Sequence, residues 1–284
     1  MRQLILPLLF ITSFLTSFSQ SSVWSIEGNG AKIFLGGSIH LLRTEDYPLP
    51  DPYYSAYNNS EIIVTETNMI EAGNPANAEK MQKAMMFQDD RSLTSVLSDS
   101  AYYALEQACK MNGLNITVLN KFKPSMVILL LTFQELGKLG VTSEGVDLHF
   151  TNKGVTDKKQ FLYLESFDQQ LSFLESMGEG NEDEFVLYSL RDLEESNEKF
   201  AEMIETWKTG NSNLMNEELS DFQRDYPEIY KTIVKDRNDN WIIQLENWLK
   251  TPETEFVIVG AMHLYGPDGV LQQMKAKGYK ISQL

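Results

Sequence analysis

The sequence is short of several things, and each shortage excludes a kind of protein. One cysteine, Cys109, in 284 residues rules out an internal disulfide framework and a cysteine-cluster metal site. Basic residues are sparse: 24 Lys plus Arg face 40 Asp plus Glu, a formal charge of −16. That field repels phosphate backbones, so nucleic acid is not an expected partner. Histidine occurs three times. No Gly-rich phosphate loop, nucleophile elbow or long repeat is present. Past residue 18, no apolar run reaches the roughly 20 residues a membrane span needs. The strongest, 125–133 (SMVILLLTF), reads as a buried helix started by Pro124.

What is there belongs to a folded protein: 42% hydrophobic and 11% aromatic residues can build a core without disulfides. Residues 1–19 read as an address. Arg2 is their only charge, an apolar stretch covers 4–18, and Ser17 and Ser19 stand at −3 and −1 of a cleavage after Ser19. This is the grammar of a secretory signal peptide. The expectation is an exported protein, periplasmic or extracellular, with 20–284 as one domain and no stable membrane span after cleavage. Cys109, in a helical pattern, is then a free, buried and inert thiol.

Four short runs end alike. Residues 32–35 (KIFL) lead to Gly37-Ser38-Ile39-His40, and 62–65 (IIVT) lead to Glu66. Residues 161–164 (FLYL) lead to Glu165, and 256–259 (FVIV) lead to Gly260-Ala261-Met262-His263. Such runs suit central strands covered on both faces. In open α/β sheets, ligands bind beyond the carboxyl ends of the strands. Two His and two Glu delivered there make a candidate metal or acid–base site. Gly-x-x-His occurs twice, suggesting two related halves that each contribute one His. The third, His149, reads as structural, within a helix over 145–153.

Helical patterns cover 77–88, 100–112 and 124–137, and a larger helical block spans 167–250. Within that block, 179–205 carries ten acids and reads as a solvated helix face. Residues 230–250 read as one long helix bearing Arg237, Asn238 and Trp241. Gly266-Pro267-Asp268 is expected to start a helix with Pro near its first turn, and 279–282 to form an edge strand.

The segments GGSIHLLRTEDYPLP, IIVTE, GVDLHF, FLYLESFDQQLSFL, DRNDNW and FVIVGAMHLYGPDGVLQQMKAKGYKI resemble the TraB/GumN family, related to the Tiki metalloproteases. The resemblance covers about 23–284. One departure is Ser38, where Thr is usual. The resemblance implies an α/β fold with a mixed central sheet of two related halves and many flanking helices. Its motifs map onto His40, His263 and Glu66, with Glu165, the Arg237-Asn238 pair and Gly145-Val146-Asp147. From the Tiki relatives it implies metal-dependent peptide cleavage with manganese or cobalt, zinc being a further choice.

The function expected from this reading is an exported metal-dependent hydrolase of peptide or protein substrates, using a metal-activated water. His40 and His263 would bind the metal. Glu66 would be third ligand or base, Glu165 would take the other role or orient a His, and Arg237 would hold a carboxylate or steady an oxyanion. Two alternatives stand beside it: a metal-free, esterase-like hydrolase with His as base, and a protein that sequesters peptides without cutting them.

Overall fold

A turn makes the first hairpin. Asn29 and Gly30 both take positive φ (55° and 82°), the geometry an Asn-Gly pair supplies for a two-residue β-hairpin. It joins β1 (Val23–Gly28) to β2 (Ala31–Ser38), which pair antiparallel from Val23↔Gly36 to Gly28↔Ala31. The computed structural model describes residues 21–72, 74–194 and 196–284. The expected signal peptide therefore lies outside the described residues, as do the side chains of Glu194, Glu195 and Glu198 in the acidic run.

The protein is an α/β fold around a mixed six-stranded sheet of order β4-β3-β5-β2-β1-β6. The remaining strands are β3 (Ile62–Thr65), β4 (Gln160–Tyr163), β5 (Glu255–Gly260) and β6 (Lys280–Gln283). β2, β5, β3 and β4 are neighbours and all parallel. Their carboxyl ends therefore share one edge, and these are the four runs that end in His or Glu. β3 and β5 are almost wholly buried and apolar apart from Thr65 and Glu255, as parallel strands between helices must be. β4 departs from the expectation of a strand covered on both faces: it is the sheet's edge and only half-buried. β6 closes the other edge against β1, as the 279–282 pattern suggested.

The helices named below are α1 (Asp51–Asn58), α2 (Pro75–Met85), α3 (Asp99–Met111), α4 (Pro124–Lys138) and α5 (Val146–Asp157). They continue with α6 (Phe167–Ser176), α7 (Glu182–Glu194), α8 (Ser196–Thr209), α9 (Ser212–Asp225), α10 (Asp236–Trp248) and α11 (Val270–Ala276). The main core packs the sheet against Tyr53 and Tyr57 of α1, Phe150 of α5, Trp207 of α8 and Trp241 of α10. A second cluster joins α3, α4 and α7 and includes Cys109. Cys109 is fully buried, and burial pushes its thiol up to about 11, so it stays protonated and inert.

Three local expectations are corrected. Residues 230–250 are not one regular helix: a π-helical turn, Lys231–Lys235, precedes α10. Gly266-Pro267-Asp268 forms a turn, and the helix starts only at Val270. The buried Asn238 amide donates to the Asp268 carbonyl at 2.8 Å and so holds that backbone out of a helix. The α4 segment is buried over Pro124–Ile128 and at Leu131, but Leu130 and Phe133 are 38% and 47% exposed.

Candidate active site

Glycine brings the first strand end into place. A Cβ on Gly36 would lie 2.8 Å from the Phe256 ring, so only glycine lets α1 and β5 close over β2. The next carbonyl, of Gly37, accepts from Tyr53 Oη at 2.5 Å and Trp207 Nε1 at 2.8 Å. These bonds fix the strand end before the chain turns to His40. Gly145 then packs backbone on backbone: a Cβ there would be 2.2 Å from the His40 carbonyl carbon. The Val146 N–H binds the Ile39 carbonyl at 3.1 Å, which docks the start of α5 beside His40.

Asp147 is delivered by that docking. Its Oδ1 accepts from Ser38 Oγ at 2.8 Å, and its Oδ2 lies 3.1 Å from His40 Nδ1. The hydroxyl kept at position 38 is thus a support for the carboxylate that orients His40. Burial works against a charged His40, but the Asp147 contact and the Glu66 charge outweigh it and raise its pKa to about 9. Its side chain is nevertheless 60% exposed, so the Asp147 contact and the Glu66 charge dominate over what desolvation the ring suffers.

The two glutamates continue the β3–β4 ladder. The Glu165 N–H donates to the Glu66 carbonyl at 2.8 Å, so the side chains start as neighbours. Glu66 Oε1 accepts from the Gly260 N–H at 2.7 Å. Gly260 marks where the strands meet: a Cβ there would lie 3.4 Å from Glu66 Oε1, 3.4 Å from His263 Cδ2 and 3.7 Å from His40 Nε2. Both imidazoles and Glu66 therefore surround one backbone position.

Arg237 locks this group from α10. Its Nε and Nη2 take both oxygens of Glu165, at 2.8 and 2.9 Å. Nη2 also binds Glu66 Oε2, and Nη1 lies 3.1 Å from His263 Nε2. The guanidinium lies over the rings of Phe173 and Trp241, 5.0 and 4.8 Å from their centroids. Trp241 Nε1 adds a 2.9 Å bond to Glu165. Burial opposes the charge on Glu66, yet its carboxyl is held well below the usual carboxylate range by the surrounding cations and the Gly260 N–H. His263 moves the other way. Burial, with Arg237 and His40 nearby, lowers its pKa to about 3 despite Glu66, so the ring is neutral. Its Nδ1 meets Asn238 Oδ1 at 2.8 Å, an amide oriented by its own donations to the His263 and Asp268 carbonyls. Nδ1 therefore carries the proton, and the Nε2 lone pair points at Arg237.

The structure thus brings His40, Glu66, Glu165, Arg237 and His263 together, and separates off His149. That ring packs among Tyr47, Tyr54 and Phe150, 3.4 Å from Glu144. Two site residues lay beyond the candidate set drawn from sequence. Asp147 was visible only as part of a resembling segment. Gln170, whose Nε2 bridges Glu66 at 3.1 Å and Glu165 at 3.0 Å, was likewise visible only inside a resembling segment, FLYLESFDQQLSFL.

The donor types suit a divalent metal; their arrangement does not suit one held jointly by His40, His263 and Glu66. The Nε2 lone pair of His263 and one oxygen of Glu66 are already directed at a permanent cation, Arg237. Among the described residues, no group of three or more His, Cys, Asp or Glu side chains is placed to hold a metal ion. All three guanidinium nitrogens are engaged by the protein, which makes Arg237 a clamp in this arrangement rather than an open anion site.

An α/β layout with titratable groups gathered at parallel strand ends is the class the fold and site describe. Residues 22–283 match the TraB/PrgY/gumN family, nearly the whole chain, and the protein belongs to that family. No curated protein and no solved structure matches it. Among the described residues, no helix is long and apolar enough to cross a membrane.

Proposed function

We propose that the protein is an exported hydrolase of peptides or related acyl compounds, working through the His40–Asp147 pair without a metal. The observation that carries this reading is a His40 imidazole held at Nδ1 by Asp147, its Nε2 without a hydrogen-bond partner among the described residues. Asp147 holds Nδ1, and Glu66 stands across Gly260. This is the geometry in which a carboxylate keeps an imidazole in the tautomer that can accept a proton. His40 takes a proton from an attacking water and returns it to the leaving group. Asp147 and Glu66 stabilise the imidazolium formed between these steps. Arg237 and Gln170 keep Glu66 ionised and in place, and Glu165 and His263 hold Arg237 against it.

A metal-dependent peptidase is the second reading, and the Asp147–His40 bond also favours it, because metal-binding histidines are commonly held by a carboxylate. His40 and Glu66 would hold the ion, with His263 joining only if Arg237 withdrew. A bound divalent ion would supply an acidified water. One experiment separates the readings. The purified mature chain is assayed for metal content and for cleavage of a peptide library, with and without a chelator. Cleavage that survives chelation and disappears in His40→Gln supports the first reading. Cleavage lost to chelator and restored by manganese, cobalt or zinc supports the second. Peptides bound and recovered intact under all conditions would sink both and leave sequestration.

A further inference from the structure

The exposed half of α4 leads to the ribbon that carries His40. Leu130, Phe133 and Gly137 share one helix face by their three- and four-residue spacing. Leu130 and Phe133 are open to solvent, without a covering element among the described residues. At the end of this face is a cavity of about 170 Å³, lined by Leu41, Phe133, Leu136, Gly137, Val141 and Thr142, with Ser143 at its edge. Among the described residues, no charged side chain lines it. A cavity of roughly 150 Å³ is enough for a benzene ring.

The far wall is part of the site's own framework. Leu41 follows His40 directly. The Thr142 N–H and Oγ1 both donate to the Leu42 carbonyl, at 2.8 and 3.0 Å, and Arg43 bridges Val141. Three residues on from Thr142, Gly145 is packed on the His40 carbonyl. An extended peptide advances about 3.4 Å per residue, so a chain engaged at His40 can place a neighbouring side chain beside Leu41. We propose that this cavity is a subsite for one apolar side chain of the substrate, aliphatic or a single aromatic ring. The inference rests on the hydrolase reading for what the ligand is, but the binding can be measured without turnover.

Gly137 makes the test clean. Gly137 lines the cavity, a Cβ there meets nothing within 4 Å and its backbone is helical, so a larger residue is accommodated at the cavity wall without backbone strain. N-acetyl-leucinamide and N-acetyl-serinamide are titrated into the mature chain and followed by saturation-transfer NMR. Leucinamide should bind at least about tenfold more tightly, the discrimination an apolar pocket gives for added methylenes. Gly137→Phe should abolish that preference, and Gly137→Ala should keep it. Ser143→Trp, an exposed change at the cavity edge, fills the same space and should abolish the preference too if Gly137→Phe does not fold. Equal binding of the two amides, or an undiminished preference in the filled variants, overturns the subsite. Absence of hydrolysis in every protein would instead strike the hydrolase reading and leave the amide comparison to judge the cavity.

Discussion

Glu255 carries a charge problem that has nothing to do with the active site, and removing it should stabilise the protein only at neutral and alkaline pH. The residue opens β5 at the end of the sheet away from His40 and Glu66. It is 1% exposed, and its Oε2 has no hydrogen-bond partner among the described residues. Burial, with Glu253 and Glu61 adding repulsion, raises its pKa from 4.5 to about 7. At about 1.4 kcal/mol for each pH unit of displacement, the ionised group costs the fold about 3 kcal/mol. The sign follows from which state holds the proton. Below pH 4.5 both folded and unfolded chains are protonated there, and the group imposes no penalty. Between 4.5 and 7 the unfolded chain releases a proton that the folded chain keeps, so stability falls as pH rises. Above 7 the full cost is present. Glu255→Gln should therefore match the wild type at about pH 4 and exceed it by about 3 kcal/mol at about pH 8, or roughly 6 °C in a domain of this size. Urea titrations followed by circular dichroism from about pH 4 to about 8.5 give the difference directly. A gain independent of pH, or a loss in alkaline solution, would refute the reasoning.

The remaining predictions concern the site and the leader. His40 should titrate near pH 9 by NMR, and activity should climb with pH until that point, because the base must first lose its proton. Asp147→Asn removes the anion that raises it, so the limb should move to lower pH while the maximal rate falls by about 10²–10⁴; a wild-type His40 titrating at the ordinary imidazole value, 6.5, would refute this. Arg237→Met leaves Glu66 and Glu165 buried without their cation and should cost about 3–5 kcal/mol of stability, read by denaturant melts. Protein recovered from its native host should begin at Gln20 by N-terminal sequencing; a chain retaining Met1 in the membrane fraction would mean an anchor.

The strand ends were legible because each is announced twice, by a short β-branched or aromatic run, charged only at Lys32, and by the acid or histidine that follows it. Parallel neighbours then have no choice but to present those residues on one edge. Contacts between elements were not legible in the same way. Asp147 and His40 are 107 positions apart and meet only because Gly145 permits two backbones to touch, a property invisible without the packing. The pairing of Arg237 with four acceptor groups depends on where α10 lies over the sheet, and no local spacing encodes that. The β1–β2 hairpin, by contrast, was readable from Asn29-Gly30, and the 32–35 run caught only its second strand. The edge position of β4 could not be read from FLYL, since an apolar run does not say how many neighbours it has. At α4 the uninterrupted apolar composition hid a helix with one covered and one open side.

The π-helical turn at Lys231–Lys235 makes the site depend on how one turn is wound as well as on composition. A π-turn accommodates one residue more than the α-helix around it, and α-helical positions advance by about 100° each. It therefore acts as a phase shim between Tyr230, which is anchored to Asp268, and the face of α10 that carries Arg237, Asn238 and Trp241. A single-residue deletion there would let the helix anneal into regular α form with the phase of α10 nearly kept. Winding the same residues as a regular α-helix with none removed would instead swing that face by about 100°, taking the guanidinium off both glutamates while leaving every site residue present in the sequence. In this protein the winding of one turn can thus erase the centre without mutating it.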